Sequence, residues 1–286
     1  MNAGVQLKDL VEQGAARLSA AGVENARLDA ELLMAFAART TREGLLAKTI
    51  AADEGVRERY AQAIGMRAAR RPLAYITGRR EFHSIELEVS HEVLIPRPET
   101  ETVVNAALSW IAERPAARIV DLCTGSGAIA LAIAVNAPQV EVVGTDISAD
   151  ALAIAMRNAA RLELTKRVKF RRADCWTVLD GGEQLGQFDL VVANPPYICE
   201  SEMTALAPEI RHYEPRIALA GGIDGLTFYR RIATEAGHHL EDGGAAMVEV
   251  GEGQAAPVAA IFRAAGLREI TTIDDLARIT RVVVAS

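Results

Sequence analysis

Asn194-Pro195-Pro196-Tyr197 closes an apolar run, Leu190-Val191-Val192-Ala193, that reads as a buried strand. Proline has no N–H and drives the residue before it out of the α region, so the chain leaves that strand as a stiff, extended loop with few internal hydrogen bonds. Carbonyls in such a loop face outward for donors, and Tyr197 sets an aromatic face beside them. The Asn194 side-chain oxygen and the Pro195 carbonyl make a pair of acceptors for a flat group bearing N–H donors, an amide or an amino-substituted base. Taken alone, a rigid strand-exit turn explains these residues equally well. A second constellation, some seventy residues upstream, tips the balance toward chemistry.

That constellation is Asp121-Leu122-Cys123-Thr124-Gly125-Ser126-Gly127, between a predicted strand and a predicted helix. Gly125 and Gly127 allow a tight turn and a close approach to a ligand, and the helix start offers free N–H groups. Asp146 ends the next strand, about 20 residues on, where a carboxylate takes both hydroxyls of a ribose. Strand, glycine loop, helix and delayed acid together specify a nucleoside-cofactor site. Either a dinucleotide or S-adenosylmethionine fits it. Asp121 favours the methyl donor, because a carboxylate there can take an ammonium group directly or through water and gives a pyrophosphate nothing. The third strand ends in Ala173-Asp174-Cys175-Trp176, an acid and an aromatic suited to binding and covering an adenine. A plain core role for Trp176 is the equal alternative.

The elements that must position these residues follow from periodicity. Residues 118 onward alternate strand and helix: strands over Arg118–Leu122, Val140–Thr145, Val168–Arg171, Leu190–Ala193 and Gly244–Val250, and helices over Ser126–Val135, Ala149–Leu162, Leu226–Leu240 and Gln254–Ala265. A glycine-rich loop spans Asp180–Gly186, and Glu269–Ile273 with Arg281–Val284 forms a closing hairpin. The implied fold is α/β, a mostly parallel doubly wound sheet with a C-terminal antiparallel hairpin. Residues 5–71 read as helices, a small bundle that recognises a partner or covers the site. Residues 72–98 read as a connector, with a strand at Ile85/Leu87/Val89, a turn at Ser90-His91-Glu92 and a return strand at Val93-Leu94-Ile95. The expected domains are 1–75 (helical, substrate recognition), 76–98 (hairpin linker) and 99–286 (catalytic). Pro98 with Glu99 and Glu101 starts a helix. Arg97, held between two prolines, can grip a carboxylate, and Arg97 and Glu99 are both supporting candidates.

The totals exclude several classes. The 286 residues are half hydrophobic and a quarter charged, ordinary for a soluble globular protein. No signal pattern and no apolar run of about 18 residues is found. Cys123, Cys175 and Cys199 are odd in number and widely spaced, which points to a reducing cytosol without a disulfide framework or zinc site. No metal is expected, and His83, His91, His212, His238 and His239 read as surface or structural. The net charge of −7 divides into +4 over residues 1–80 and −11 over the rest. An acidic catalytic part argues against stable nucleic-acid binding.

The set DLCTGSG, TD at 145–146, ADCW and NPPY resembles a class I S-adenosylmethionine-dependent methyltransferase. NPPY resembles the enzymes that methylate planar nitrogen in adenine, cytosine or glutamine amides. PLAYITG (72–78), LIPRPETE (94–101), EPRIALAGGIDGL (214–226) and EVGEGQ (249–254) narrow this, because together they resemble the HemK/PrmC protein-(glutamine) methyltransferases. The resemblance covers nearly the whole chain. It implies the cofactor loop at Cys123–Gly127, the ribose acid at Asp146, the adenine-side aromatic at Trp176 and the amide clamp at Asn194–Tyr197. It also implies the substrate, the glutamine of the Gly-Gly-Gln loop of class 1 peptide chain release factors. The enzyme is expected to be cytoplasmic and a monomer. Cys123 departs from the family, which more often has glycine there, and so questions the loop's backbone conformation. The alternatives are a glutamine methyltransferase of a ribosomal protein and, further off, a DNA adenine methyltransferase. A nicotinamide oxidoreductase or a non-catalytic adaptor leaves NPPY without a task.

Overall fold

The computed structural model describes residues 7–47, 53–181 and 184–286. Residues 5–6 and 48–52 of the expected helical stretch, and 182–183 of the expected glycine-rich loop, lie outside the described residues. The chain divides into two units, Met1–Gly78 with Ala207–Tyr213, and Arg79–Leu206 with Glu214–Ser286.

The helical unit holds α1 (Leu7–Ala20), α2 (Ala26–Ala37), α3 (Arg42–Ala47), α4 (Glu54–Ala68) and α5 (Leu73–Thr77). Leu18, Ala30, Leu33 and Met34 are wholly buried between them. Asp53 starts α4 by accepting the Val56 N–H at 2.8 Å. The expected connector 72–98 begins with a short helix: Pro72 opens α5 and Gly78, at φ 74°, ends it. Arg67, buried, binds Asp29 at 2.7 Å and Glu209 at 3.0 Å, and Arg70 adds a second grip on Glu209 at 2.8 Å. The Tyr213 hydroxyl donates to the Ala69 carbonyl at 2.6 Å. The segment 207–213 therefore completes this unit although it follows Tyr197 by only ten residues.

The second unit begins with a hairpin, β1 (Arg79–Phe82) and β2 (Ile85–Glu88). The alternation at Ile85/Leu87 is a strand, but its partner precedes it. The turn is His83-Ser84, both in the left-handed region at φ 46° and 62°, as a two-residue hairpin turn requires. Ser90–Glu92 is not that turn, and Val93–Ile95 is not a strand. Phe82, Ile85 and Leu87 enter the core of the catalytic unit itself. There follow α6 (Glu101–Ile111), β3 (Arg118–Leu122), α7 (Ala128–Asn136), β4 (Glu141–Asp146), α8 (Ala149–Arg161), β5 (Val168–Asp174), β6 (Thr177–Val178) and β7 (Phe188–Ala193). After α9 (Pro208–Tyr213), which belongs to the helical unit, come α10 (Thr227–His239), β8 (Leu240–Glu249), α11 (Ala255–Ala264), β9 (Ile270–Asp274) and β10 (Thr280–Ala285).

Among the described residues the other eight strands form one sheet in the order β6-β5-β4-β3-β7-β8-β10-β9, separate from the β1–β2 hairpin. The strands β5, β4, β3, β7 and β8 run parallel, β6 pairs antiparallel with β5, β10 antiparallel with β8, and β9 antiparallel with β10. Leu190 and Val192 pack on the face covered by α6 and α7, and Val191 and Ala193 on the face covered by α10 and α11. A strand buried on both faces reads as the continuous apolar run seen in the sequence. Strand order reverses between β3 and β7, and ligands bind at the carboxyl ends of strands at such a switch point.

Candidate active site

The β3–α7 loop is built on Asp121. Its carboxylate is fully buried and accepts the Thr124 hydroxyl at 2.6 Å and the Ala130 N–H at 3.2 Å. Its second oxygen, Oδ1, has no hydrogen-bond partner. Burial pushes its pKa up to about 7 against the pull of those two donors. The two glycines do different work. A Cβ on Gly127 would lie 3.1 to 3.3 Å from Leu131, Phe170 and Ala155, so this position serves helix–sheet packing. A Cβ on Gly125 would meet nothing within 4 Å and would project into the cleft. Cys123 answers the question raised by its departure from glycine: it holds φ 59°, the left-handed conformation that glycine adopts freely. Its thiol hydrogen-bonds Cys175, which with burial raises its pKa. Two cysteines far apart in sequence are therefore neighbours in the cleft wall. Ser126 is buried, and its carbonyl accepts from Asn158 Nδ2 at 3.0 Å.

Asp146 closes β4 and faces the cleft. One carboxylate oxygen accepts the Gly125 N–H and the other the Ser148 N–H, each at 2.9 Å. Burial raises its pKa. Asp174 also lines the cleft, ion-paired with Arg231 at 2.7 Å. Trp176 does not stand at the cleft. It is 2% exposed, donates its ring N–H to the Ile232 carbonyl at 3.2 Å, and stacks on His239 at 4.4 Å between centroids. A large ring with a partner for its one donor is worth more in the core, so the core reading of Trp176 prevails. The aromatic that lines the cleft is Phe228 on α10, which no sequence pattern singled out.

At the β7 exit, Asn194 lines the cleft and donates its Nδ2 to Thr100 Oγ1 at 3.1 Å. Pro196 lines the same cleft, and Pro195 between them is buried. Tyr197 is locked from three sides. Gln254 Nε2 donates to its carbonyl at 3.0 Å, its hydroxyl reaches Glu249 at 3.5 Å, and Gly221 and Gly225 press on its backbone. Ile198 pairs with Leu219 and Gly221 through backbone hydrogen bonds of 2.9 Å. Thus EPRIALAGGIDGL and EVGEGQ are the supports of NPPY. Arg97 does hold a carboxylate, that of Glu214 in its own chain, which also accepts the Ile95 N–H at 3.4 Å. Glu99 is exposed. Thr100, Glu214, Glu249 and Gln254 went unassigned in the sequence because each acts on another residue of the site. The cleft has a volume of about 270 Å³. Among the described residues, no group of three or more His, Cys, Asp or Glu side chains is gathered as for a metal ion.

A glycine loop at the switch point, an acid ending the second strand and Asn-Pro-Pro-Tyr ending the fourth parallel strand define a class I methyltransferase. A methyltransferase from Pyrococcus furiosus shares the fold, with a TM-score of 0.50 at 16% identity over 70% of this chain and 87% of that one. The family model of the methyltransferase small domain matches residues 102–212, and that of the PrmC N-terminal domain matches residues 9–78. The release factor glutamine methyltransferase of Caulobacter vibrioides is 41% identical over 274 residues, 93% of this chain and 91% of that protein. Its namesake in Geobacter sulfurreducens is 42% identical over the same shares of the two chains. The chain belongs to the release factor glutamine methyltransferase family.

Proposed function

We propose that this protein transfers a methyl group from S-adenosylmethionine to the side-chain amide nitrogen of the glutamine in the Gly-Gly-Gln motif of bacterial class 1 peptide chain release factors. The carrying observation is Asn194, on the lip of the cleft that Gly125 and Asp146 also line, with its NH2 end turned back to Thr100. The cofactor fits the residues present. Gly125 leaves room where a side chain would enter the cleft, Asp146 offers a carboxylate for the ribose, and Asp121 Oδ1 is an unpartnered acceptor beneath the loop for an ammonium reached through water. Phe228 takes the adenine-side role first given to Trp176.

S-adenosylmethionine supplies an electrophilic methyl on a sulfonium. An amide nitrogen is a poor nucleophile because its lone pair is delocalised into the carbonyl. Asn194 Oδ1 and the Pro195 carbonyl each accept one amide hydrogen, which aims the nitrogen along the cleft and stabilises the positive charge that grows on it. This is positioning with electrostatic preorganisation. The new N–C bond would replace the methyl–sulfur bond, whose electron pair stays on sulfur as the neutral thioether of S-adenosylhomocysteine, and the nitrogen would give up one proton to water. The helical unit, with the chain's positive share of charge, receives the release factor, and the enzyme acts as a monomer without stable binding to nucleic acid.

The test presents the enzyme and methyl-labelled cofactor with release factor and dissociated ribosomal proteins together. Label on the release factor alone supports the reading. Label on a ribosomal protein instead moves the substrate to that class.

A further inference from the structure

We infer that Thr100 and Glu249 are positioning residues that determine which end of the Asn194 amide faces the substrate. The inference rests on the methyl-transfer reading and explains how the first acceptor of the clamp is kept an acceptor. An asparagine side chain is a donor at one end and an acceptor at the other. A half-turn of the amide exchanges them, and toward a substrate N–H only the oxygen end works.

Thr100 stands behind Asn194, with Nδ2 to Oγ1 at 3.1 Å. A hydroxyl can accept from Nδ2 or donate to Oδ1, so Thr100 by itself makes no choice. Glu249 makes it. Its side chain, in a residue 2% exposed at the end of β8, faces the hydroxyls of Thr100 and Tyr197. The Tyr229 hydroxyl pins the Glu249 carbonyl at 2.8 Å. An ionised carboxylate only accepts. The Thr100 hydrogen therefore goes to Glu249, the hydroxyl's lone pairs go to Asn194, and Asn194 must turn its NH2 inward and its oxygen to the cleft. Glu249 Oε2 has no hydrogen-bond partner in this network.

A protonated Glu249 removes the choice, because it can donate to Thr100, whose hydrogen is then free for Asn194 Oδ1. The amide would turn its NH2 to the cleft and oppose a donor with a donor. The groups facing Glu249 are the Thr100 and Tyr197 hydroxyls, the Tyr229 phenol on α10, the Arg281 guanidinium on β10 and the Glu99 carboxylate; burial outweighs the attractive ones and pushes its pKa up to about 7. Turnover should rise with pH through neutrality as the relay takes its working direction.

The experiment measures kcat and KM on unmodified release factor for the wild type and for Thr100→Val, Thr100→Ser and Glu249→Gln, with cofactor affinity by calorimetry as the check on folding. Thr100→Val should lose about tenfold to a hundredfold in kcat, with cofactor affinity held within about twofold, and Thr100→Ser should recover most of the loss. Glu249→Gln should lower kcat and flatten its rise between about pH 6 and 8. Wild-type kcat in Thr100→Val, or an unchanged pH rise in Glu249→Gln, overturns the inference. Should Glu249→Gln fail to fold, the valine–serine pair decides alone. A wild-type enzyme inactive on release factor refutes the underlying reading, whereas an active wild type with a silent Thr100→Val refutes only the relay.

Discussion

Asp146 spends both carboxylate oxygens on backbone N–H groups of the two loops that frame the cleft, each at 2.9 Å. It therefore shapes the site as well as offering a charge to the ribose. Asp146→Ala should weaken cofactor binding by about tenfold to a hundredfold, the worth of a charged hydrogen bond. Calorimetric titration checks this, and an unchanged affinity contradicts the ribose role. Asp121 gives a prediction about pH. Its pKa, pushed up to about 7 by burial, lies above that of an unfolded aspartate. Between about pH 4 and 7 the folded protein then holds a proton the unfolded chain lacks, so this group's stabilisation is full below pH 4 and is lost as pH rises through 7. Asp121→Asn should shrink the fall in melting temperature of the cofactor-free protein between about pH 5.5 and 8. An equal fall in both proteins would contradict the raised pKa of this buried carboxylate. At this scale the sequence displays the residues that meet ligands, because glycine, proline, asparagine and aspartate at strand ends announce their conformation. It hides Thr100 and Glu249, whose importance lies in the partner each one orients.

Among the elements, the loop Glu214–Leu226 and the start of α11 clamp the β7 exit. A Cβ on Gly221 would fall 2.7 Å from Tyr197 Cα and 2.8 Å from its carbonyl carbon. Backbone cannot yield as a side chain does, so Gly221→Ala must displace Asn194–Tyr197. Its kcat should drop by about 10², the cost of misplacing a reacting group by about an ångström, while Asp146 and the cofactor loop keep their affinity. Parallel loss of both would place the defect in the fold instead. The parallel sheet was readable because strands covered on both faces are unbroken apolar runs between helical periods. The hairpin was misplaced because His83-Ser84 lacks the Asn-Gly or Asp-Gly pattern that marks such turns, while Ser90-His91-Glu92 mimics a polar turn. Trp176 was drawn to the cofactor by its place at a strand end. Sequence alone could not show that its ring N–H finds the Ile232 carbonyl.

For the molecule as a whole, the helical unit is assembled from two stretches of chain, and Arg67 ties them through Asp29 and Glu209. Removing one member of a buried ion cluster strands the others. Arg67→Ala should therefore cost about 3 kcal/mol of stability in that unit, seen as a lower first transition in thermal unfolding. A superimposable melting curve would contradict the tie. Nothing in local periodicity announces that residues 207–213 leave the catalytic unit, since the pairing spans 142 positions between Arg67 and Glu209. Among the described residues no helix is long and apolar enough to cross a membrane.

In the proposed reaction Asn194 and its loop present a glutamine amide to the methyl donor. The most direct test is mass spectrometry of an unmodified class 1 release factor after incubation with S-adenosylmethionine and either the wild type or Asn194→Ala. The wild type should add about 14 Da to the Gly-Gly-Gln peptide, and Asn194→Ala should do so at a rate lower by about 10² to 10³ while still binding the cofactor. Near-normal methylation by Asn194→Ala, or no gain with a cofactor-binding wild type, would contradict it.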